Sequence, residues 1–185
     1  MTKVFCRLLI AITFALLAGS CATPILPTEL VPADDKVFQS TGKTITVLPV
    51  RIWQRFKPGW QHSGENFPDA EIYKNAVIST LVKSGLFTEV KNEGKADYSL
   101  SIEVIGERIL GVYSNVAFIL VRYDLTEAET KSMIWNENIF SHFGMSVSDE
   151  YLGTKRLAKT TEGVIRVNME LLKDKLAHVL VAQGS

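Results

Sequence analysis

Residues 115–127, NVAFILVRYDLTE, predict a long β-strand with a continuous apolar stretch on one side. Successive side chains of a strand point to opposite faces of the sheet. Between Asn115 and Glu127, this side carries only apolar or aromatic groups, namely Ala117, Ile119, Val121, Tyr123 and Leu125. The other side begins apolar, at Val116 and Phe118, and turns polar at Arg122. We therefore expect the first side to face a hydrophobic core.

The neighbouring segments predict two further strands of the same sheet. Residues 98–104 alternate between apolar and polar side chains, as expected for a strand with one solvated face. Residues 133–145 predict a third long strand, joined to the second by a tight turn at residues 129–131. Both sides of this third strand are mixed, and either a β-bulge or a second buried face explains the pattern. Three consecutive antiparallel strands predict a meander.

Two segments have the spacing of amphipathic helices. In residues 69–84, apolar side chains recur at intervals of three and four, and Asp69 and Gly85 provide a start and a left-handed stop. Residues 155–182 predict the final helix. Gly163 costs roughly 1 kcal/mol relative to alanine inside a helix, which leaves open whether this helix begins before or only after it.

A first strand at residues 44–50 and a short strand at residues 87–91 complete the order β-α-β-β-β-β-α. We predict an α+β domain over residues 44–185, with a mixed, mostly antiparallel sheet and both helices on one face. Residues 106–113 contain two glycines and are expected to form the loop between the strands at residues 98–104 and 115–127.

The N-terminus has the three parts of a secretory signal. Lys3 and Arg7 supply positive charge, residues 8–17 (LLIAITFALL) are uncharged and apolar, and the small residues 18–20 (AGS) precede Cys21. This apolar run is too short for a membrane-spanning helix, which needs about 20 residues. We predict that residues 1–20 are removed and that cleavage falls between Ser20 and Cys21.

Residues 17–21, LAGSC, resemble the lipobox of bacterial prolipoproteins. The resemblance implies that the Cys21 thiol carries a diacylglycerol and that the new amino terminus is acylated too. Several chains make a durable anchor, because each buried methylene adds about 0.8 kcal/mol. Ala22 and Thr23 lack the aspartate that retains enterobacterial lipoproteins at the inner membrane, which implies the periplasmic face of the outer membrane. The alternative is an ordinary cleaved signal that happens to contain a cysteine.

Residues 21–43 are predicted to form a lipidated, proline-rich tether. Pro24, Pro27 and Pro32 remove backbone donors and favour extended conformations, which stiffen the chain without folding it. About twenty such residues reach a few tens of ångströms, at ~3.1 Å each. The alternative is that the apolar residues of this segment dock on the domain: Ile25, Leu26, Leu30 and Val31.

The composition argues against several classes of function. Without Lys3 and Arg7, the mature chain has 18 basic and 20 acidic residues, and no basic stripe indicates a nucleic-acid partner. His62, His142 and His178 have no metal-ligand spacing, and no glycine-rich phosphate loop follows the first strand. We therefore expect no metal, no cofactor and no enzymatic activity.

Residues 51–68 combine aromatic and basic side chains around two turns. Trp and Arg dominate binding hot spots, so this loop predicts a surface for a protein of the cell envelope, with a glycan or a lipid as the alternative ligand. In a purely structural interpretation, the aromatic rings cap the edge of the sheet. The candidate partner-binding residues are Trp53, Arg55, Phe56, Trp60, His62 and Phe67.

The layout of residues 43–182 resembles small outer-membrane lipoproteins, namely the LptE type of lipopolysaccharide assembly and YajG. The resemblance rests on a strand at residues 44–50, a helix at residues 69–84, three long strands and a terminal helix. It implies a non-enzymatic accessory component of an envelope transport, export or assembly complex. The long loop at residues 51–68 departs from that layout.

Overall fold

The computed structural model describes residues 26–33, 36–52, 67–111 and 114–183. Within these residues the strands are β1 (Thr44–Val47), β2 (Arg51–Ile52), β3 (Glu89–Lys91), β4 (Tyr98–Leu110), β5 (Asn115–Glu127) and β6 (Met133–Met145). The helices are α1 (Ala70–Ser84) and α2 (Gly153–Gln183), and a short 3-10 turn lies at Pro27–Leu30. The predicted α+β class is confirmed, with a mixed, mostly antiparallel sheet and two helices.

The sheet has the strand order β3-β1-β4-β5-β6, and β2 pairs with β4 beyond the end of β1. β1 runs parallel to both β3 and β4. Parallel strands need a crossover connection, and α1 provides it between β1 and these later strands. β4, β5 and β6 form the predicted antiparallel meander with β5 in the middle.

The first strand is shorter than the predicted range 44–50. β1 ends at Val47, and Pro49 then interrupts the ladder because it has no backbone N–H to donate. The Leu48 N–H still donates to the Leu100 carbonyl at 2.9 Å. Pairing with β4 resumes at β2, whose residues had been predicted to start the loop, opposite residues 103 and 104.

A bulge makes β4 longer than predicted. The register with β5 shifts between Val104 and Gly106, and β4 then stays paired to Leu110. The prediction of a loop over residues 106–113 was therefore wrong for its first half. The extra residue of a bulge exchanges the two sides of the strand, which places Glu107 on the buried side of the sheet.

A second bulge explains the mixed pattern of β6. The pairing with β5 skips Ile134, since Trp135 lies opposite Leu125 while Met133 lies opposite Thr126. Beyond the bulge the strand is regular. Its odd-numbered residues lie on the helix side, whereas Phe140 and its even-numbered neighbours lie on the other side and are more exposed.

The predicted boundaries of α1 are confirmed by its caps. The Asp69 carboxylate accepts the N–H of Ile72 at 2.8 Å, which satisfies a free donor of the first turn. Gly85 ends the helix in the left-handed conformation, with φ of 67°. The buried side of α1 includes Tyr73 and Leu81, which enter the core.

α2 is continuous from Gly153 to Gln183, so a start only after Gly163 is ruled out. Gly163 lies where the helix crosses β6, and a Cβ there would be 2.2 Å from the ring of Phe143. The missing side chain therefore lets the helix approach the strand closely. In the described part of the chain, no helix is both long and apolar enough to cross a membrane.

A buried polar network joins both helices to the sheet. Tyr123 donates its hydroxyl proton to Asn168 Oδ1 at 2.6 Å, and the Tyr73 hydroxyl lies 3.0 Å from that of Tyr123. Asn168 Nδ2 donates to the Ile139 carbonyl at 3.2 Å and to Ser141 Oγ at 2.7 Å. Burial raises the pKa of both tyrosines far above the usual value of 10.0, so both hydroxyls stay neutral.

The described part of the predicted tether contacts the domain, and the docking alternative is borne out at Leu30, whereas Leu26 is 54% exposed and Ile25 lies outside the described residues. Leu30 is fully buried, which contributes roughly 1.5–3 kcal/mol. Lys83 Nζ donates to the Pro32 carbonyl at 3.0 Å, and the Phe38 N–H donates to the Ser84 carbonyl at 2.9 Å. The prediction of an unfolded tether is therefore corrected for residues 26–33 and 36–43, because α1 and α2 together offer an apolar pocket.

Gly163→Ala is expected to lower the free energy of unfolding by about 1–2 kcal/mol in urea denaturation, since overpacking against Phe143 exceeds the gain in helix propensity. Gly153→Ala is the matched control, because its Cβ would meet nothing closer than 3.9 Å. Adding Phe143→Leu to Gly163→Ala is expected to recover part of the loss. Equal losses for both glycine variants would show that the close approach is not responsible.

Asn168→Leu is expected to lower the free energy of unfolding by about 2–3 kcal/mol, because it leaves buried polar groups on β5 and β6 unpaired. Tyr123→Phe should cost only about 1 kcal/mol, since the Tyr73 hydroxyl still reaches Asn168 Oδ1, at 3.3 Å. Urea titrations of the two variants measure the difference. The reverse order would contradict the central position of Asn168 in the network.

Candidate functional site

Most of the predicted site residues lie outside the described part of the chain. These are Ser20, Cys21, Trp53, Arg55, Phe56, Trp60 and His62. Phe67 is described, and its ring stacks on Tyr73 with the ring centroids 6.0 Å apart and the planes at 22°. It is half-buried against the core. Phe67 thus has a packing role at the start of α1.

The side of the sheet that points away from the helices carries an apolar patch, which we call the aromatic face. It consists of Leu110, Val116, Phe118, Leu120, Phe140 and His142, which are neighbours across β4, β5 and β6. The Phe118 ring stacks on Phe140 at 6.0 Å and lies 6.2 Å from His142. Leu110 is 41% exposed and Phe140 is 50% exposed. No described helix packs on this face.

The aromatic face ends at a polar border. One row along the strands, Arg122 Nη1 lies 3.7 Å from Glu103 Oε2, and in the next row Asn136 donates a hydrogen bond to Asp124. The apolar beginning of β5 was recognised in the sequence, but its junction with Phe140 was not. That junction depends on the register between β5 and β6, and only the alternation of both strands taken together signals it.

The outer edge of β6 is unpaired among the residues that the structure describes. An unpaired edge presents free N–H and C=O groups, which proteins usually protect with Lys, Pro or a bulge. β6 is 13 residues long, its only charged residue is Glu137, and its bulge lies near the start. Most of this edge is therefore regular and unprotected.

A surface groove of about 260 Å³ lies between the start of β6 and the end of α2. It is lined by Trp135, Glu137, Asp174, Lys175, His178 and Val179. Trp135 Nε1 donates to Glu137 Oε2 at 3.2 Å, and Lys175 forms an ion pair with the same carboxylate. Asp174 pairs with Lys36 at 2.7 Å. The charges of Glu137, Lys175, Asp174 and Lys36 therefore compensate one another in and beside the groove.

The described residues hold no group of three or more His, Cys, Asp or Glu side chains that is placed to bind a metal. His142 packs across the strands, with its ring centroid 6.2 Å from that of Phe118 and 6.5 Å from that of Phe140. The buried hydroxyls of Tyr73 and Tyr123 are enclosed in the core. That the chain has no enzymatic activity, metal or cofactor stays a prediction.

No family model and no curated protein matches this chain. Among solved structures, protein XCC0632 from Xanthomonas campestris, assigned to family DUF330, is 19% identical; the alignment covers 88% of this chain and 96% of that one, with a TM-score of 0.58. Protein CT253 from Chlamydia trachomatis is 12% identical; the alignment covers 71% of this chain and 96% of that one, with a TM-score of 0.49. A minor lipoprotein from Acinetobacter baumannii is 8% identical, with 74% and 91% covered and a TM-score of 0.43. The likeness to the Xanthomonas protein shows that the two chains share a fold.

Proposed function

We propose that this chain is a lipid-anchored, non-enzymatic accessory protein of the bacterial cell envelope, where it binds a protein partner in a transport, export or assembly complex. The observation that carries the proposal is the aromatic face. An apolar patch that runs over three adjacent strands and has a polar border is the usual form of an interaction surface.

The chemistry of the aromatic face favours a protein as its ligand. Phe118 and Phe140 present stacked rings, which supply apolar contact area at a small cost in side-chain entropy. Beside them, Arg122 contacts Glu103, and the exposed Arg108 opposite Phe118 is a single cation, so this face presents no cluster of positive charge for an anionic ligand. A partner with its own apolar patch complements this surface best.

The N-terminal sequence supports the anchor. Residues 1–20 have the charge, the apolar run and the small residues of a secretory signal, and Cys21 follows at the position that a lipobox requires. The proposed location is the periplasmic face of the outer membrane. Anchoring raises the effective concentration of the aromatic face for a partner in the same membrane.

Cys21→Ser is expected to abolish the incorporation of radiolabelled palmitate and to move the protein from the membrane fraction to the soluble fraction. A durable anchor needs two or more acyl chains, so the loss should be close to complete. Cys6→Ser, in the proposed signal, is the matched control and should leave both readouts unchanged. Membrane partitioning that survives Cys21→Ser would contradict the anchor.

A photoreactive benzoylphenylalanine in place of Phe118 is expected to crosslink a specific envelope protein in living cells. The same replacement at Tyr151, which lies in the β6–α2 connection and is 82% exposed, is the control and should give no such product. Mass spectrometry identifies the crosslinked protein, and its affinity for the purified lipoprotein is then measured.

Phe118→Gln should weaken that affinity at least about tenfold, as expected for a residue at the centre of an interface, while Tyr151→Gln should not. Crosslinking only to other copies of this chain would contradict the proposal. Retention by lipopolysaccharide or peptidoglycan that depends on Phe118 would replace the protein partner with a lipid or glycan.

A further inference from the structure

We propose that the β6 edge pairs with β6 of a second copy of this chain, antiparallel and about a twofold axis, so that two sheets become one. This inference concerns a different surface from the proposed function and does not require the lipid anchor. It rests on the length, regularity and charge of the edge and on the fit of the strand to itself.

The unprotected edge is the first argument. No strand of the described residues pairs with the outer edge of β6, which leaves a row of backbone donors and acceptors along a 13-residue strand, and its bulge at Ile134 disturbs only the beginning. A long, regular, nearly uncharged edge pairs readily with another strand. Among the described residues the opposite edge of the sheet is the three-residue strand β3, which has two charged residues. The two edges of the sheet therefore differ in the way expected if the β6 edge pairs with another chain and the β3 edge does not.

The fit of β6 to itself is the second argument. Antiparallel pairing centred on Ile139 overlaps the regular part of the strand, residues 135–143, with each of these residues opposite one on the same face of the sheet. Trp135 then lies opposite Phe143 of the second copy, which forms an aromatic cross-strand pair. Asn136 lies opposite His142 of the second copy, which pairs an amide with an imidazole.

The position of charge is the third argument. In the register centred on Ile139, Glu137 lies opposite Ser141 of the second copy, and the two glutamates are separated along the seam. Each carboxylate also keeps its own cation, Lys175. Centring the pairing on Glu137 instead would place the two carboxylates directly opposite each other, which destabilises a strand pair. The register centred on Ile139 therefore avoids this repulsion.

A second copy fits this edge better than an unrelated strand, because the complementary residues are already present in β6. A twofold axis through an antiparallel seam stands perpendicular to the sheet. It therefore keeps both pairs of helices on one side and both aromatic faces on the other. In the dimer, Phe140 of each copy lies beside Asn138 of the other, and the two aromatic faces form one continuous surface.

Cysteine crosslinking tests the register. One copy with Asn136→Cys and a differently tagged copy with His142→Cys are co-expressed as full-length chains and mildly oxidised in the membrane. A disulfide between the two tags is expected, because the residues are directly opposed. Cells that contain only one of the variants should give little dimer, since like positions are six residues apart, or about 20 Å.

Asn138→Lys tests the energetics of the seam. Its exposed side chain is close to the axis, so the two copies of the new charge repel, and the dimer dissociation constant is expected to rise about tenfold. Asn92→Lys makes the same chemical change in an exposed turn beyond β3 and should leave the constant unchanged. Analytical ultracentrifugation measures both full-length proteins in detergent, and circular dichroism checks that each is folded.

Three results would overturn the inference: a wild-type monomer at all concentrations, a dimer that survives with no crosslink between Asn136→Cys and His142→Cys, or a crosslink only to a foreign protein. Repeating the oxidation in the Cys21→Ser background separates this proposal from the anchor. In that background, a crosslinked dimer in the soluble fraction would support the edge pairing and agree with the anchor, whereas a crosslinked dimer that stays in the membrane fraction would support the edge pairing and contradict the anchor.

Discussion

The buried amide of Asn168 constrains how the helical layer lies on the sheet. A buried amide without partners costs several kcal/mol, roughly 2–7 depending on the reference state. Asn168 avoids this cost only where Tyr123 reaches its oxygen and β6 offers a carbonyl and a hydroxyl to its nitrogen. Two further contacts hold α2 against β6, one before and one after Asn168 in the helix. They are the close approach of Gly163 to Phe143 and the ion pair between Lys175 and Glu137. These contacts fix the position of α2 along β6. That position determines which surfaces of the sheet stay uncovered by the helix.

Both helices and the docked N-terminal segment use the same side of the sheet, so the molecule is strongly one-sided. The helix side contains the core, the tyrosine network and Leu30. The other side carries aromatic rings that no described helix covers. Among the described residues, no strand pairs with the outer edge of β6. In such a domain, the surfaces best suited to binding are the aromatic face and the outer edge of β6. The helical side instead makes most of the internal contacts. Association is the activity that such an arrangement favours.

Local patterns predicted the elements whose causes are local. The ranges of β5 and β6 follow from alternation and the turn between them, and the ends of α1 follow from Asp69 and Gly85. The failures have distant causes. Gly163 is tolerated in α2 because of Phe143 on a neighbouring strand, and Leu30 is buried in a pocket that two helices form together. The bulges likewise depend on the partner strand.

The candidate site was harder to predict than the fold, for the same reason. Aromatic and basic composition pointed to residues 51–68, and only Phe67 of that candidate set is described, where it packs on α1. The aromatic face arises only when β5 and β6 are in register, so that Phe118 meets residues more than twenty positions away. The composition of a single segment does not show which residues of β5 and β6 lie opposite each other. Aligning the alternating patterns of both strands predicts most of these pairs.

The segment at residues 26–33, which the burial of Leu30 holds against the helices, limits how far the domain can stand from a bilayer. If acyl chains hold Cys21, only four residues separate it from Leu26, so the two Cα atoms lie at most about 18 Å apart. The domain would then sit against the headgroups, with its 3-10 turn nearest to them, and would be restricted in tilt as well as in height. Only partners that reach down to the bilayer surface would be within its range.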